Sequence, residues 1–227
     1  MPIRHTDIIN MILITGFGPY KEDINASGEV VHSLRNDIPE ELLVHKGDLV
    51  FEVITCDDSS RHTEHKSLES QLFELLKQYQ PELCIYTGQA PPYNKITIEK
   101  IATNSFMREV IDPSRPVAYW ANLPGNDSLK EILEEQNIPA EYSFYGGQHL
   151  CNHILYSSLY FSEKYRLPHK SGFIHIPLLP EQVTKQHRNS PYMPLEMSRK
   201  ALALSINHVV KARGHNEALQ PTAESGG

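Results

Sequence analysis

Cysteine is scarce in this sequence: Cys56, Cys84 and Cys151 are three among 227 residues, with no CxxC spacing. An odd count without such pairs argues against a disulfide framework and for reduced thiols in a cytoplasm. Long hydrophobic runs are missing too. Stretches such as residues 11–14 fall far short of the roughly 20 apolar residues that a membrane-crossing helix needs. The opening Met-Pro-Ile-Arg-His-Thr-Asp lacks the continuous apolar stretch of a secretory signal. Positive charge is outweighed, with 21 Lys and Arg against 28 Asp and Glu for a net −7. Neither nucleic acid nor an anionic membrane is therefore an expected partner. There is no internal repeat and no low-complexity tract.

What is present is a 40% apolar chain, long enough for one buried core of about 200 residues. No composition break asks for a second domain. Apolar β-type runs alternate with segments of helical period. Residues 11–15 read as a first strand, followed by a Gly-Phe-Gly-Pro-Tyr turn, and Asn25 or Ser27 can cap a helix to about residue 34. Residues 49–55 read as a strand, 63–79 as a helix with Leu68, Leu72, Leu75, Leu76 and Tyr79 on one face, and 83–87 as a strand ending at Gly88. An extended segment covers 96–99, and Asn126 or Asp127 opens a short helix ending near Gln136. Residues 141–144 look extended, 148–164 helical, 172–176 extended, and 195–212 helical with a stop at Gly214. This order predicts an α/β fold: a three-layer α/β/α sandwich about a central twisted mixed sheet. One domain spans residues 11–213; residues 1–10 are an extension without periodicity, and the polar 214–227 read as a mobile tail.

Three residues have the chemistry of a nucleophilic site. Cys151 follows Gly146-Gly147 and lies in the first turns of a predicted helix, where unpaired N–H groups favour a thiolate and can stabilise an oxyanion. Its alternative is a small buried hydrophobe. His175, in Gly-Phe-Ile-His-Ile-Pro, sits at the C-terminal end of a predicted strand, the edge where open α/β sheets place ligands. Flanked by Ile174 and Ile176, it reads equally as a satisfied core histidine. Glu99 ends an extended segment, and by itself reads as a solvated acid or a partner of Lys95 or Lys100. The 12 histidines raise a metal reading through His149 with His153 and His62 with His65. The interval Leu-Cys-Asn lacks the glutamate of an HExxH site and no third ligand is evident, so no metal is expected. Gly16-Phe17-Gly18 does not serve as a dinucleotide loop, because Pro19 and Tyr20 stand where the helix should start.

Four blocks in order make a wider pattern: Thr15-Gly16-Phe17-Gly18-Pro19-Tyr20 with Asn25-Ala26-Ser27; Gly88-Gln89-Ala90 with Ile96-Thr97-Ile98-Glu99-Lys100-Ile101-Ala102-Thr103-Asn104; Gly146-Gly147-Gln148-His149-Leu150-Cys151-Asn152-His153; and Gly172-Phe173-Ile174-His175-Ile176-Pro177 with Leu179-Pro180-Glu181-Gln182. Together they resemble the pyroglutamyl-peptidase I (pyrrolidone-carboxylate peptidase) family of cysteine peptidases over about residues 11–212. The resemblance places that family's Cys–His–Glu triad on Cys151, His175 and Glu99. It implies removal of an N-terminal pyroglutamyl residue from small peptides through a thioester, with no metal or organic cofactor. It also implies ring binding by Phe17 and Tyr20, with lactam hydrogen bonds from Asn25 and the main chain around Gln89. Members often form homo-oligomers, a state compatible with this sequence and not fixed by it.

The departures lie beside the triad. Tyr20 replaces a usual phenylalanine, Pro91-Pro92-Tyr93 stands where many members carry Gly-Gly-Arg, and Lys100 replaces an arginine, losing bidentate hydrogen bonding. The loop between Phe17 and Asn25 is also one residue shorter than in typical bacterial members. Two other functions fit the same residues: a catalytically weak module that binds blocked N-termini, and a thiol hydrolase or acyltransferase acting on a different amide.

Overall fold

The computed structural model describes residues 11–20, 23–55 and 64–218. The N-terminal extension, Cys56, His62 and the tail beyond residue 218 lie outside the described residues. In chain order the first elements are β1 (Ile12–Phe17), α1 (Ala26–Asn36), β2 (Leu49–Ile54), α2 (Glu64–Tyr79), β3 (Leu83–Gln89) and β4 (Ile96–Glu99). Four short strands follow: β5 (Ile101–Thr103), β6 (Ser105–Phe106), β7 (Glu109–Val110) and β8 (Ala118–Trp120). The chain then forms α3 (Leu129–Glu135), β9 (Ala140–Ser143), α4 (Leu150–Tyr165), β10 (Lys170–Ile176), α5 (Pro180–Lys185) and α6 (Leu195–Ala218).

Six strands form the central sheet in the order β2-β1-β3-β10-β4-β9. All neighbours are parallel except β10 and β4, so the sheet is mixed. Strands covered on both faces must be apolar on both, and β1, Ile-Leu-Ile-Thr-Gly-Phe, is buried throughout. Strand alternation sends Ile12, Ile14, Ile85, Ile98, Ile174 and Ile176 towards α1, α3 and α6. The intervening Leu13, Phe17, Cys84, Tyr86 and Phe173 pack beneath α2 and α4. These are the three layers expected from the alternation of elements.

Several boundaries differ from the sequence reading. β3 runs on to Gln89 rather than ending at Gly88. α3 starts at Leu129 with Ser128 at its cap: Lys100 Nζ donates to the Asn126 main-chain carbonyl at 3.2 Å and pairs with the Asp127 carboxylate, which keeps the Asp127 side chain off the helix end. α6 continues through Gly214 to Ala218; a glycine inside a helix costs only about 1 kcal/mol, too little to stop one already propagating. The small pairs β5–β8 and β6–β7 and the short 3-10 helix Glu40–His45 carry no periodicity long enough to be read.

Candidate active site

Alternation and register bring the reactive side chains to one face. In β10 His175 lies between Ile174 and Ile176, which face α1 and α6, so its ring points towards α4. The same count puts Glu99 of β4 and Gly88 of β3 on that face. His175 pairs in register with Gly88 on one side, and on the other lies diagonal to Glu99, which pairs with Phe173. Glu99 Oε1 accepts from His175 Nδ1 at 2.7 Å, with Glu99 only 1% and His175 5% exposed. Lys95 and Lys100 turn to Glu141 and Asp127 instead, so neither pairs with Glu99. Glu99 Oε2 is buried without a hydrogen-bond partner among the described residues.

Cys151 is the second residue of α4 and is half-buried. His149 at the N-cap makes no side-chain cap, and Gly147, with φ of 81°, makes the turn that feeds the helix. The thiol lies over Gly88, the register partner of His175, close enough for its charge to act on the imidazole. A Cβ on Gly88 would lie 2.8 Å from Cys151 Sγ and 2.8 Å from Phe173 Cζ. Glycine is therefore required beneath the thiol, a need the sequence alone did not reveal. Burial pushes the His175 pKa down, but the charge of Cys151, its hydrogen bond, and the hydrogen bond and charge of Glu99 outweigh this and raise it to about 9. The imidazole is also enclosed by rings: Phe173 at 4.7 Å between centroids and Tyr93 edge-on at 5.4 Å.

The four residues expected to bind the ring lie in β1, in the segment after it, at the start of α1 and at the end of β3. Phe17, at the end of β1, places its ring beside Gly88, with Cδ2 3.5 Å from where a Cβ there would stand. Its position follows from close approach of β1 and α1: a Cβ on Gly16 would collide with Ser27 O at 2.5 Å, and Ser27 Oγ accepts from the Phe17 N–H at 3.0 Å. Gly16 answers to that contact, whereas a Cβ on Gly18 would meet nothing nearer than 3.6 Å. Asn25 caps α1, its Oδ1 accepting from Ser27 N and Oγ at 3.1 and 2.8 Å, while its Nδ2 donates to no described residue. Tyr20 sets its ring 5.8 Å from that of His149, just before Cys151.

The Gln89 side chain is occupied: Oε1 accepts from Ala26 N at 2.9 Å and from Gln182 Nε2 at 2.9 Å. Gln182 also accepts from the Leu179 N–H at 3.0 Å, so it ties α5 to the end of β3. Asn152 is a second residue that local sequence could not mark. Its amide donates to Thr103 O at 2.9 Å and Ser105 O at 2.8 Å and accepts from Thr103 N at 2.8 Å, fastening α4 to β5 and β6. His149 and His153 do not form a metal site. His149 stacks on Phe106, and His153 is fully buried 3.6 Å from Glu69. No group of three His, Cys, Asp or Glu among the described residues could hold a metal ion.

A mixed α/β sheet that gathers a thiol, an imidazole and a carboxylate at one edge, the last two hydrogen-bonded, defines the class of cysteine hydrolases. The family model for pyroglutamyl peptidase matches residues 10–212, and the chain belongs to that family. A pyrrolidone-carboxylate peptidase of Brachyspira hyodysenteriae is 36% identical over 208 residues, covering 86% of this chain and 96% of its own. Pyrrolidone-carboxylate peptidase 1 of Caldanaerobacter subterraneus is 34% identical over 218 residues, covering 88% and 98%. Among solved structures, pyrrolidone carboxyl peptidase from Thermococcus litoralis superimposes with a TM-score of 0.78 at 28% identity, covering 91% of this chain and 96% of that one. Pyroglutamyl peptidase I from Bacillus amyloliquefaciens gives 0.75 at 29% identity, covering 89% and 96%.

Proposed function

We propose that this chain removes the N-terminal pyroglutamyl residue from small peptides, with Cys151 as nucleophile, His175 as base and Glu99 orienting the imidazole. The observation that carries this reading is the ordered contact of Cys151, His175 and Glu99, closed by the 2.7 Å bond at His175 Nδ1, at the start of α4. His175 takes the thiol proton and the sulfur attacks the pyroglutamyl carbonyl. The unpaired N–H groups of the first turn of α4 stabilise the oxyanion. The tetrahedral intermediate collapses to a thioester as His175 returns the proton to the leaving amine. A water then gives its proton to His175 and hydrolyses the thioester, releasing pyroglutamate and the thiol. Throughout, Glu99 fixes the tautomer and favours the imidazolium. No metal or organic cofactor takes part.

The acyl pocket follows from the chemistry of a small neutral lactam. Phe17 and Tyr20 bracket its apolar edge, Asn25 Nδ2 donates to the lactam carbonyl, and the Gln89 main chain supplies the remaining pairing. A charged amino-terminal glutamine or glutamate would bring an unpaired charge into this apolar site and is rejected. An acidic chain with unpaired thiols fits a cytoplasmic protein that engages neither nucleic acid nor membrane, and no helix among the described residues is long and apolar enough to cross a bilayer.

A pyroglutamyl-aminocoumarin reporter tests the reading. Release by the wild type that disappears in Cys151→Ala supports the peptidase. Binding without release points instead to a recognition module, and turnover of other acyl amides alone points to a different thiol hydrolase.

A further inference from the structure

His175 must act twice in one turnover, first towards the leaving amine and then towards water, and each time its ring must hold the same orientation. Glu99 fixes one nitrogen, and Phe173 packs against the ring. Tyr93 packs against it as well, its ring edge-on to the imidazole at 5.4 Å and an interplanar angle of 82°.

Tyr93 is held from its main chain. Its N–H donates to Ala90 O at 3.0 Å, closing a turn over Pro91 and Pro92, whose φ angles are locked by their rings. Ala90 N–H in turn donates at 3.0 Å to Ile176 O, the residue after His175, so the turn is mounted on the strand that carries the imidazole. From that stiff base the side chain straps across the His175 imidazole, ring against ring. Burial, then the charge of Glu99, raises the phenol pKa, so the hydroxyl is neutral at ordinary pH.

We propose that Tyr93 is a positioning residue: its anchored ring keeps the His175 imidazole from swinging out of line with Glu99 and Cys151 and keeps bulk water off their hydrogen bond. The proposal rests on the triad reading above. Its substrate-free consequence is that the His175 Nδ1 proton exchanges slowly with solvent because the strap covers it.

Two measurements on wild type, Tyr93→Phe and Tyr93→Ala test this, with circular dichroism confirming that each is folded. By proton NMR, the hydrogen-bonded Nδ1 proton resonance of His175 is expected in wild type and Tyr93→Phe and lost to exchange in Tyr93→Ala. On the pyroglutamyl reporter, Tyr93→Ala is expected to lose about 10–100-fold in kcat with KM within about threefold, and Tyr93→Phe to recover most of the loss. An Nδ1 resonance that persists in Tyr93→Ala overturns the proposal, as does a loss carried wholly by KM, which would make Tyr93 a substrate contact. If wild type does not cleave the reporter, the peptidase reading fails, while the NMR comparison still decides whether Tyr93 guards the imidazole.

Discussion

The charge on His175 depends on its sulfur neighbour as much as on Glu99. In Cys151→Ala the two contributions from the thiol disappear, leaving burial opposed by Glu99 alone, and the imidazole titrates below the wild-type value of about 9. A group whose pKa is raised on folding adds stability that is complete below its unfolded value, near 6.5 for histidine, and lost as pH rises through the folded value. Wild type should therefore lose stability to urea between about pH 6.5 and 9. Cys151→Ala should lose less and at lower pH; parallel profiles for the two proteins would contradict the coupling. Gly88→Ala addresses the space below the thiol. Its methyl would press on Sγ and Phe173 at 2.8 Å, so we expect about a 100-fold fall in kcat/KM, with about 1–3 kcal/mol lost from stability. Unaltered turnover would show that the thiol has room to move. Local sequence marked Cys151 through its glycine turn and helix start, whereas Glu99 is one acid on a short strand. Its partner is 76 residues away, and only strand register brings the two together.

At the scale of elements, the Cys151 thiol is as well placed as α4 is fixed. Asn152 fastens the first turn to β5 and β6 with three hydrogen bonds to main-chain groups. Asn152→Ala leaves those groups without their partner and should cost about 2–4 kcal/mol by denaturant unfolding, with activity falling beyond what the lost stability explains. A change below about 0.5 kcal/mol would mean that water replaces the amide. Further along, Glu69 of α2 accepts from Arg115 at 2.7 Å and from Ser157 of α4 at 3.1 Å. Burial raises the Glu69 pKa, but the hydrogen bond from Arg115, His153 nearby, the Arg115 charge and Ser157 together bring it below 4.5. Its contribution to stability is present above about pH 4.5 and fades as pH falls through the lowered value, so Glu69→Gln should flatten the acid limb of an unfolding profile. An unchanged acid limb would remove Glu69 from that role. The long strands and helices were legible because their periodicity repeats over several turns or alternations. The start of α3 was misplaced because the use of Asn126 and Asp127 depends on Lys100, more than 20 residues upstream.

For the molecule as a whole, the described thiols should behave as two kinds. Cys84 is fully buried in the layer beneath α2 and α4, and burial drives its pKa up to about 12. Iodoacetamide should modify Cys151 and abolish activity while Cys84 stays unlabelled until the protein unfolds, as peptide mass mapping would show. EDTA should leave activity intact, and inactivation on chelation would sink the metal-free mechanism. The layered architecture was legible from the alternation of elements. The surroundings of the triad residues were not legible, because Gln89 and Gln182 find each other across 93 residues and Gly88 shows its purpose only with α4 laid over it.

The strand order has a consequence for how the molecule is made. β10 is the last strand among the described residues, yet it occupies the middle of the sheet, between β3 and β4. Until it is inserted, those two strands present open edges, and the folding chain stays exposed to misassociation while it waits for a contact between distant parts of the sequence. Cys151 also emerges from the ribosome before His175, so the thiol exists for a time without the imidazole. On the proposed triad, activity arises in the same event that closes the sheet, and its recovery after dilution from denaturant should therefore trail the early return of helical signal.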